Sequence, residues 1–482
     1  MSEARGPVRP RDLFRSPLVL FFLLGLLVRL AGTLFNGVTD LYQILLDWGF
    51  VVRREGLVAA FHINYGILSY AAFGLAAAAA DVMPRFWWAP YKLIILAFDV
   101  ATLLVLLRVV PPERRTLALI LYWLNPWFII HEAYHGFWEG PHMLFGLLAV
   151  LALKRAQAGG AWFMVGVLLM VSAMFKPQGL IHFIGPLGVY LAVQWLRGNR
   201  APFAFWLAGL ATVAGATSLL IAAAGGSAFA LVDNYRSAFA TMSGVSNGGP
   251  GIWRFVSFVY MSATAQTGHV AFVHMPRLLT GILSGVAALA CLGVFLVFSV
   301  RTTIGSGGVS IVERLASRVM RPDAPVTRPP AETVLLMLAL GSLVMSQFGA
   351  RAHINHSFTA MVLLVPLAAA STDIRRLWTA LSALLGLSHL LIFALGNAAL
   401  LPPDSVLPRY SAAASFVQRV TALPAYRSPD ALLVIQQWLA NLVSRLPGET
   451  LVSLLSPVVF LVACLLVRAI FQVAAQPKLA IA

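Results

Sequence analysis

The sequence predicts an all-α, polytopic integral membrane protein with about 12 transmembrane helices and a long first outer loop. Three observations carry that prediction. Of 482 residues, 60% are hydrophobic and only 11% are charged, with a mean hydropathy of +0.84, whereas soluble domains carry about 25% charged residues. The apolar residues fall into runs of about 17–22, the length that crosses a bilayer core. The net charge of +16 is distributed as short basic clusters between those runs, the pattern of cytoplasmic loops beside anionic lipid rather than of a nucleic-acid groove. No nucleic-acid partner is therefore expected. Cys291 and Cys464 both lie inside apolar runs, so neither a disulfide framework nor a CxxC metal site is present in the sequence.

Four arginines, Arg5, Arg9, Arg11 and Arg15, precede the first apolar run at 17–35. That run is too long for a signal-peptide core and lacks a small-residue cleavage site, so it reads as an uncleaved first span. A polar-studded insertion, the outer loop 36–90, follows, with helical stretches that read as re-entrant or interfacial. The remaining spans are expected at 91–109, 116–130, 143–153, 161–175, 179–195, 203–224, 278–300, 334–348, 358–370, 377–395 and 451–467. About 20 of the 34 Lys and Arg then fall in the short inner segments, as the positive-inside rule requires. Three regions result: a cytoplasmic N-terminus at 1–16, a transmembrane catalytic core at 17–396, and an outer segment with the last span at 397–482. Both termini are cytoplasmic in this scheme, the membrane is a bacterial inner membrane, and every chemically interesting polar cluster faces outward.

The clusters begin with Asp40 and Asp47 in the first outer loop. They lie two α-helical turns apart and so on one face of a helix, about 10 Å from each other at 1.5 Å per residue. That separation is too large for both to act on one breaking bond. Asp40 suits a general base at the membrane surface, where a partly dry carboxylate accepts a proton from an attacking hydroxyl. The competing reading is an N-cap, with Gln43 completing a capping box. Asp47 is assigned to acceptor binding or to water.

His131 and His135 with Glu132 spell HExxH, in which two histidines one turn apart bind zinc and the glutamate activates water. Gly136 ends the helix that motif requires, and a third ligand would have to be Glu139 or His142. A substrate-facing polar turn is the other reading. Lys176 and Gln178 interrupt an apolar stretch around Pro177, and a lysine there either snorkels to the interface or anchors an anion. Arg351, His353 and His356, with Asn355 between the histidines, form a second cationic cluster. Two such clusters on one face suit an anion that gathers charge as it leaves. Arg29 and Asp99, inside the first two spans, are expected to pair structurally.

Taken in order, these segments resemble the GT-C superfamily of polytopic glycosyltransferases that use polyprenyl-phosphate sugars. The stretch TDLYQILLDW at 39–48 falls where that superfamily carries its first-loop catalytic Asp, and NYGILSY at 64–70 stands in place of a Tyr-Pro-Pro-Leu-like segment. YKLIILAFDVATLLVLLR at 91–108 and YWLNPWFII at 122–130 resemble the second and third helices of polyprenol-phosphate-mannose transferases. HEAYHGFWEG, FKPQGL, NGGPGIW and RAHINHSF are similar to the outer motifs of dolichyl-phosphate-glucose-dependent glucosyltransferases. The resemblance spans most of 29–366 and implies Asp40 as catalytic base. It implies Lys176, Arg351 and His353 as donor-phosphate contacts, and Asp47, His135, Glu139, Gln178, His356 and Trp253 as substrate-binding residues. Ile354 stands where an acidic residue is expected, and the first loop has no tight Asp-x-Asp, so no divalent-metal cofactor is implied.

The function so implied is inverting transfer of a sugar from a polyprenyl-phosphate donor to a glycan or glycolipid acceptor hydroxyl at the outer face. Two alternatives stand beside it. One is a zinc-dependent intramembrane protease built on His131 and His135. The other is a lipid-linked sugar flippase or transporter, against which the sequence shows no duplicated halves.

Overall fold

The structure, a computed structural model, describes residues 16–38, 40–61, 65–155, 159–240, 245–246, 249–266, 270, 273–304, 330–350, 352–353, 355–393, 407–423 and 431–475. Among the described residues all regular structure is helical. In chain order the main helices are α1 (Pro17–Gly32), α2 (Ile67–Ala80), α3 (Ala89–Val109), α4 (Arg115–Trp123), α5 (Gly140–Arg155) and α6 (Gly159–Phe175). There follow α7 (Gly185–Leu196), α8 (Ala201–Ala223), α9 (Ala230–Ala240), α10 (Ile252–Ala263), α11 (Arg277–Ile304) and α12 (Pro330–Gln347). The chain closes with α13 (His356–Leu363), α14 (Val365–Ala370), α15 (Thr372–Phe393), α16 (Ala414–Thr421), α17 (Ala431–Ser444) and α18 (Gly448–Ala475).

Each of the twelve expected spans has a helical counterpart, and five helices, α8, α11, α12, α15 and α18, are long and apolar enough to cross a membrane. Helix α3 has the length, at 21 residues, but carries Lys92, Asp99 and Arg108. Helix α2 has 14 residues, about 21 Å at 1.5 Å per residue, short of a bilayer core of about 30 Å. Three expected spans are broken rather than continuous. The one at 116–130 stops after Trp123, because Pro126 cannot donate a helix bond and the Asn125 side chain caps the Trp127 amide at 3.0 Å. The one at 179–195 opens with a π-helical stretch, Leu180–Ile184. The one at 358–370 is divided at Leu364, two residues before Pro366.

Helix α12 is apolar on all sides and almost wholly enclosed by α5, α7, α13 and α18, the pattern of a core helix. Helices α8 and α11 do the opposite and expose Leu219, Leu220, Leu278 and Leu289. An apolar exposed surface of that extent is what acyl chains cover in a membrane protein. Helices α6 and α8 cross at contact distance: a Cβ on Gly166 would lie 2.1 Å from the Trp206 carbonyl oxygen, and one on Gly209 would lie 2.1 Å from that of Phe163. Small residues let backbones meet where no hydrophobic drive separates helix from lipid.

Arg29 and Asp99 pair as the sequence predicts, Nε to Oδ2 at 3.0 Å, with both side chains buried. Tyr122 Oη donates to Asp99 Oδ1 at 2.7 Å, Arg29 Nη1 donates to the Trp123 carbonyl at 2.5 Å, and the guanidinium carbon lies 4.0 Å from the Trp123 ring centre. This network joins α1, α3 and α4. Lys92 performs the same service one end further along. Its ammonium donates to the Gly32 carbonyl at 3.2 Å and to the Tyr134 carbonyl at 2.6 Å, satisfying carbonyls left open at helix ends.

The segments expected on the outer side lie together. Arg53 and Arg419 both pair with Asp81, Phe416 packs on Phe50 with ring centres 5.0 Å apart, and Gln436 Nε2 donates to Asn36 Oδ1 at 2.9 Å. Breaking one partner of a buried ion pair leaves a charge without compensation, at a cost of about 3–5 kcal/mol. Asp99→Ala is therefore expected to lower the detergent-solubilised protein's thermal stability strongly, whereas Asp81→Ala at the exposed pair should change it little.

Candidate functional site

Five segments from separate parts of the chain meet around Lys176. Pro177 ends α6 by denying it a further amide donor, which leaves Lys176 at the helix C-terminus, where a cation is favoured. Its side chain is 2% exposed and its ammonium contacts Glu139 Oε1 directly. An intramembrane or interfacial lysine this deeply buried needs such a partner.

Glu139 reaches it from the turn before α5. That turn is set by a π-helical stretch, Ile129–Tyr134, and then by Gly136 at φ +77°, which leads the chain out of it. The second oxygen of Glu139 lies 3.6 Å from His142 Nδ1, and His142 Nε2 is 2.8 Å from Thr359 Oγ1 on α13. Burial pushes the Glu139 carboxyl up to about 7, although the adjacent Lys176 ammonium pulls the other way.

Tyr65 closes a third side, its ring centre 5.6 Å from Lys176 Nζ. The close seating of this segment on α6 depends on Gly66. Its amide donates to the Phe175 carbonyl at 3.1 Å, and a Cβ there would fall 1.9 Å from the Met174 carbonyl oxygen. Ser69 extends the same contact: Oγ donates to the Phe175 carbonyl at 2.5 Å and accepts from Trp138 Nε1 at 2.6 Å.

Asp40 begins the short helix after α1, and that loop is held by the Val38 amide donating to the His135 carbonyl at 3.2 Å. Its side chain is open to solvent yet surrounded by protein on nearly all sides, so it lines an inlet rather than an outer surface. Burial raises its carboxyl above the ordinary value, and the Lys176 charge partly offsets that rise. Asp40 and Glu139 both act electrostatically on Tyr65 and on Tyr91 of α3.

Asp47 does not share the face of Asp40. From Gln43 to Gly49 the chain is π-helical, and its i→i+5 turns are wider than the α-helical spacing that would return residue i+7 to the same face. Gln178 and His356 meet, Nε2 to Nε2 at 3.2 Å, and His353 Nδ1 lies 2.7 Å from Asn355 Oδ1. The Lys176 charge acts on His131, His142, His182 and His356 alike. Arg351 and Ile354 lie outside the described residues. Trp253 is adjacent rather than convergent, its Nε1 donating to the Phe348 carbonyl at 2.6 Å, while the Gly249 amide donates to that of Ala352 at 3.1 Å. Gly249 and Trp253 thus brace the segment that carries His353 and His356.

The HExxH residues do not form a zincin site. The π-helical turn spoils the α-helical spacing the motif needs. His131 is sandwiched between Phe137 and Phe358, with ring centres 4.7 Å and 4.4 Å away, and His135 Nδ1 lies 2.6 Å from His389 Nε2. Glu132 faces the Arg29 and Asp99 pair instead of the histidines. Among the described residues no three His, Cys, Asp or Glu are grouped so as to hold a metal ion.

Sequence reasoning missed Tyr65, Tyr91, His182 and His389. The two histidines carried a usable signal, since each interrupts an apolar helix and a polar residue inside a span is a functional candidate by default. The tyrosines carried none, because interfacial aromatics are common in membrane proteins.

Two outcomes follow from this geometry. Gly66→Ala is expected to displace the Tyr65 segment from α6 and lower stability by about 1–3 kcal/mol, read by thermal unfolding in detergent. Because the folded-state value for Glu139 is raised from 4.5 to about 7, its stabilising effect is full below pH 4.5 and is lost as pH rises through about 7. Glu139→Gln should flatten that part of the stability profile. In comparisons with known proteins, no family model matches this chain and no curated protein matches it.

Proposed function

We propose that this chain is a membrane-embedded glycosyltransferase of the polyprenyl-phosphate-dependent type, acting at the outer face of a bacterial inner membrane. The observation that supports this reading best is a solvent-reached carboxyl, Asp40, lying within electrostatic reach of a buried ammonium, Lys176, beside which Tyr65 packs. Inverting transfer needs one group to take a proton from the attacking hydroxyl and another to stabilise charge on the departing phosphate. Asp40 fills the first role, and its raised carboxyl value makes it a stronger base than a free aspartate. Lys176 fills the second, with His353, His356 and Gln178 assigned to the departure side.

In the reaction, the acceptor oxygen attacks the anomeric carbon while Asp40 takes its proton. The bond from that carbon to the phosphate oxygen breaks, and its electron pair stays on the phosphate. The polyprenyl chain enters from the side, along helices whose exposed leucines face the acyl chains. A glycan or glycolipid acceptor reaches Asp40 from the aqueous side. His135, Trp253 and Asp47 stand further out in this scheme, as positioning groups rather than as groups on the reacting atoms.

The test is transfer from labelled polyprenyl-phosphate sugars, scored by release of polyprenyl phosphate from purified protein. Asp40→Asn should cost about 10²–10⁴-fold in rate while leaving thermal stability near wild type; undiminished transfer would overturn the assignment. Because Asp40 must be ionised to act, the rate should fall on acidification, with a midpoint above the ordinary aspartate value of 3.8.

A further inference from the structure

The pair of Glu139 and Lys176 raises a question of charge. A lysine that is to hold a phosphate is already held by a carboxylate, through a direct buried contact. A phosphate monoester carries two negative charges at neutral pH. With Glu139 still ionised, one ammonium would face three negative charges in a site from which water is largely excluded, an arrangement that costs far more than it returns.

We propose that Glu139 is a proton-linked gate of this site: ionised and paired with Lys176 when the site is empty, it takes up one proton when a phosphate monoester occupies Lys176. The inference rests on the reading of Lys176 as a phosphate-binding group. The balance is simple. A dianionic phosphate and one proton from water enter, the carboxylate becomes a neutral carboxyl, and the ammonium passes from Glu139 to the phosphate. The same exchange serves transfer, because a singly charged diester becomes a doubly charged monoester as the sugar leaves, and a protonated Glu139 offsets the added charge.

The surroundings of Glu139 fit this role. Lys176 meets it from the end of α6, and His142 from the first turn of α5, with Nδ1 3.6 Å from Oε2. Tyr65 from the first loop and Tyr91 from α3 lie within its electrostatic reach, and so does Glu132 from the π-helical stretch. Asp40 acts on the same two tyrosines. Among the described residues Lys176 is the lysine or arginine in direct contact, and its departure to a phosphate leaves the carboxylate beside His142. In that setting the neutral form is favoured. A carboxyl already raised to about 7 in the paired state then needs little further change to protonate near neutral pH.

The experiment is calorimetric titration of the full chain in detergent with farnesyl phosphate, and separately with inorganic phosphate. It is run at pH 8 in two buffers of different ionisation enthalpy, above the phosphate's own second ionisation near about 6. The expected result is uptake of close to one proton per phosphate bound, and a Kd that weakens about tenfold per pH unit above neutrality. Glu139→Gln should bind without proton uptake and with a nearly flat pH profile, and Glu139→Asp should restore the uptake. If the substituted proteins do not fold, infrared difference spectra of wild type serve instead, and a new protonated-carboxyl band should appear on adding farnesyl phosphate. Binding without proton uptake or without that band overturns the gate and leaves the phosphate reading standing. Failure of both ligands to bind overturns both. Proton-linked binding of inorganic phosphate as tight as that of farnesyl phosphate supports the gate and overturns the lipid as the source of the phosphate.

Discussion

A buried ammonium must be matched, and the match between Lys176 and Glu139 organises the centre of this molecule. Neither residue could stay charged in its place without the other, since each is almost fully enclosed and an isolated charge in such a setting is expelled or neutralised. The pair ties the C-terminus of α6 to the turn before α5. From it the surrounding constraints follow: His142 is held between Glu139 and Thr359, and the Tyr65 segment is pressed onto the end of α6 through Gly66. A loose loop could not carry this arrangement. The anchoring pairs of Arg29 with Asp99, and of Lys92 with two helix-end carbonyls, hold α1, α3 and α4 behind it.

The π-helical stretches are the second constraint. Gln43–Gly49, Ile129–Tyr134 and Leu180–Ile184 each adjoin or contain residues of the site. Wider turns of this kind occur preferentially at functional positions, because they redirect side chains that regular α-helix would aim elsewhere. Here they take Asp47 off the face of Asp40, break the α-helical spacing of His131 and His135, and seat His182 beside His356 with ring centres 5.4 Å apart.

The C-terminal helices add a cover over the first loop. Helices α16 and α17 reach back to the first loop through Arg419 with Asp81, Phe416 with Phe50 and Gln436 with Asn36. Helix α17 meanwhile leaves Val434, Ile435, Trp438 and Leu442 exposed. A helix with one polar clasp and one apolar face belongs at a membrane surface. Placed there, it borders the loop that carries Asp40.

The sequence by itself determined the all-helical class, a helix at each of the twelve expected spans, and the pairing of Arg29 with Asp99. Hydropathy and charge act locally and in one dimension, so apolar runs and basic clusters can be read directly from the chain. It also nominated Asp40, Lys176, Glu139, Gln178, His353 and His356, because polar groups at the ends of apolar runs stand out against their neighbours. Only the tertiary structure decided which of these meet. Lys176 and Glu139 are separated by a whole helical hairpin, and His142 meets a threonine on α13 some two hundred residues away. The π turns could not be read either, since they answer to packing and not to a local residue preference. The shared face of Asp40 and Asp47 was misjudged for that reason: an α-helical spacing was assumed where the fold adopts a wider one.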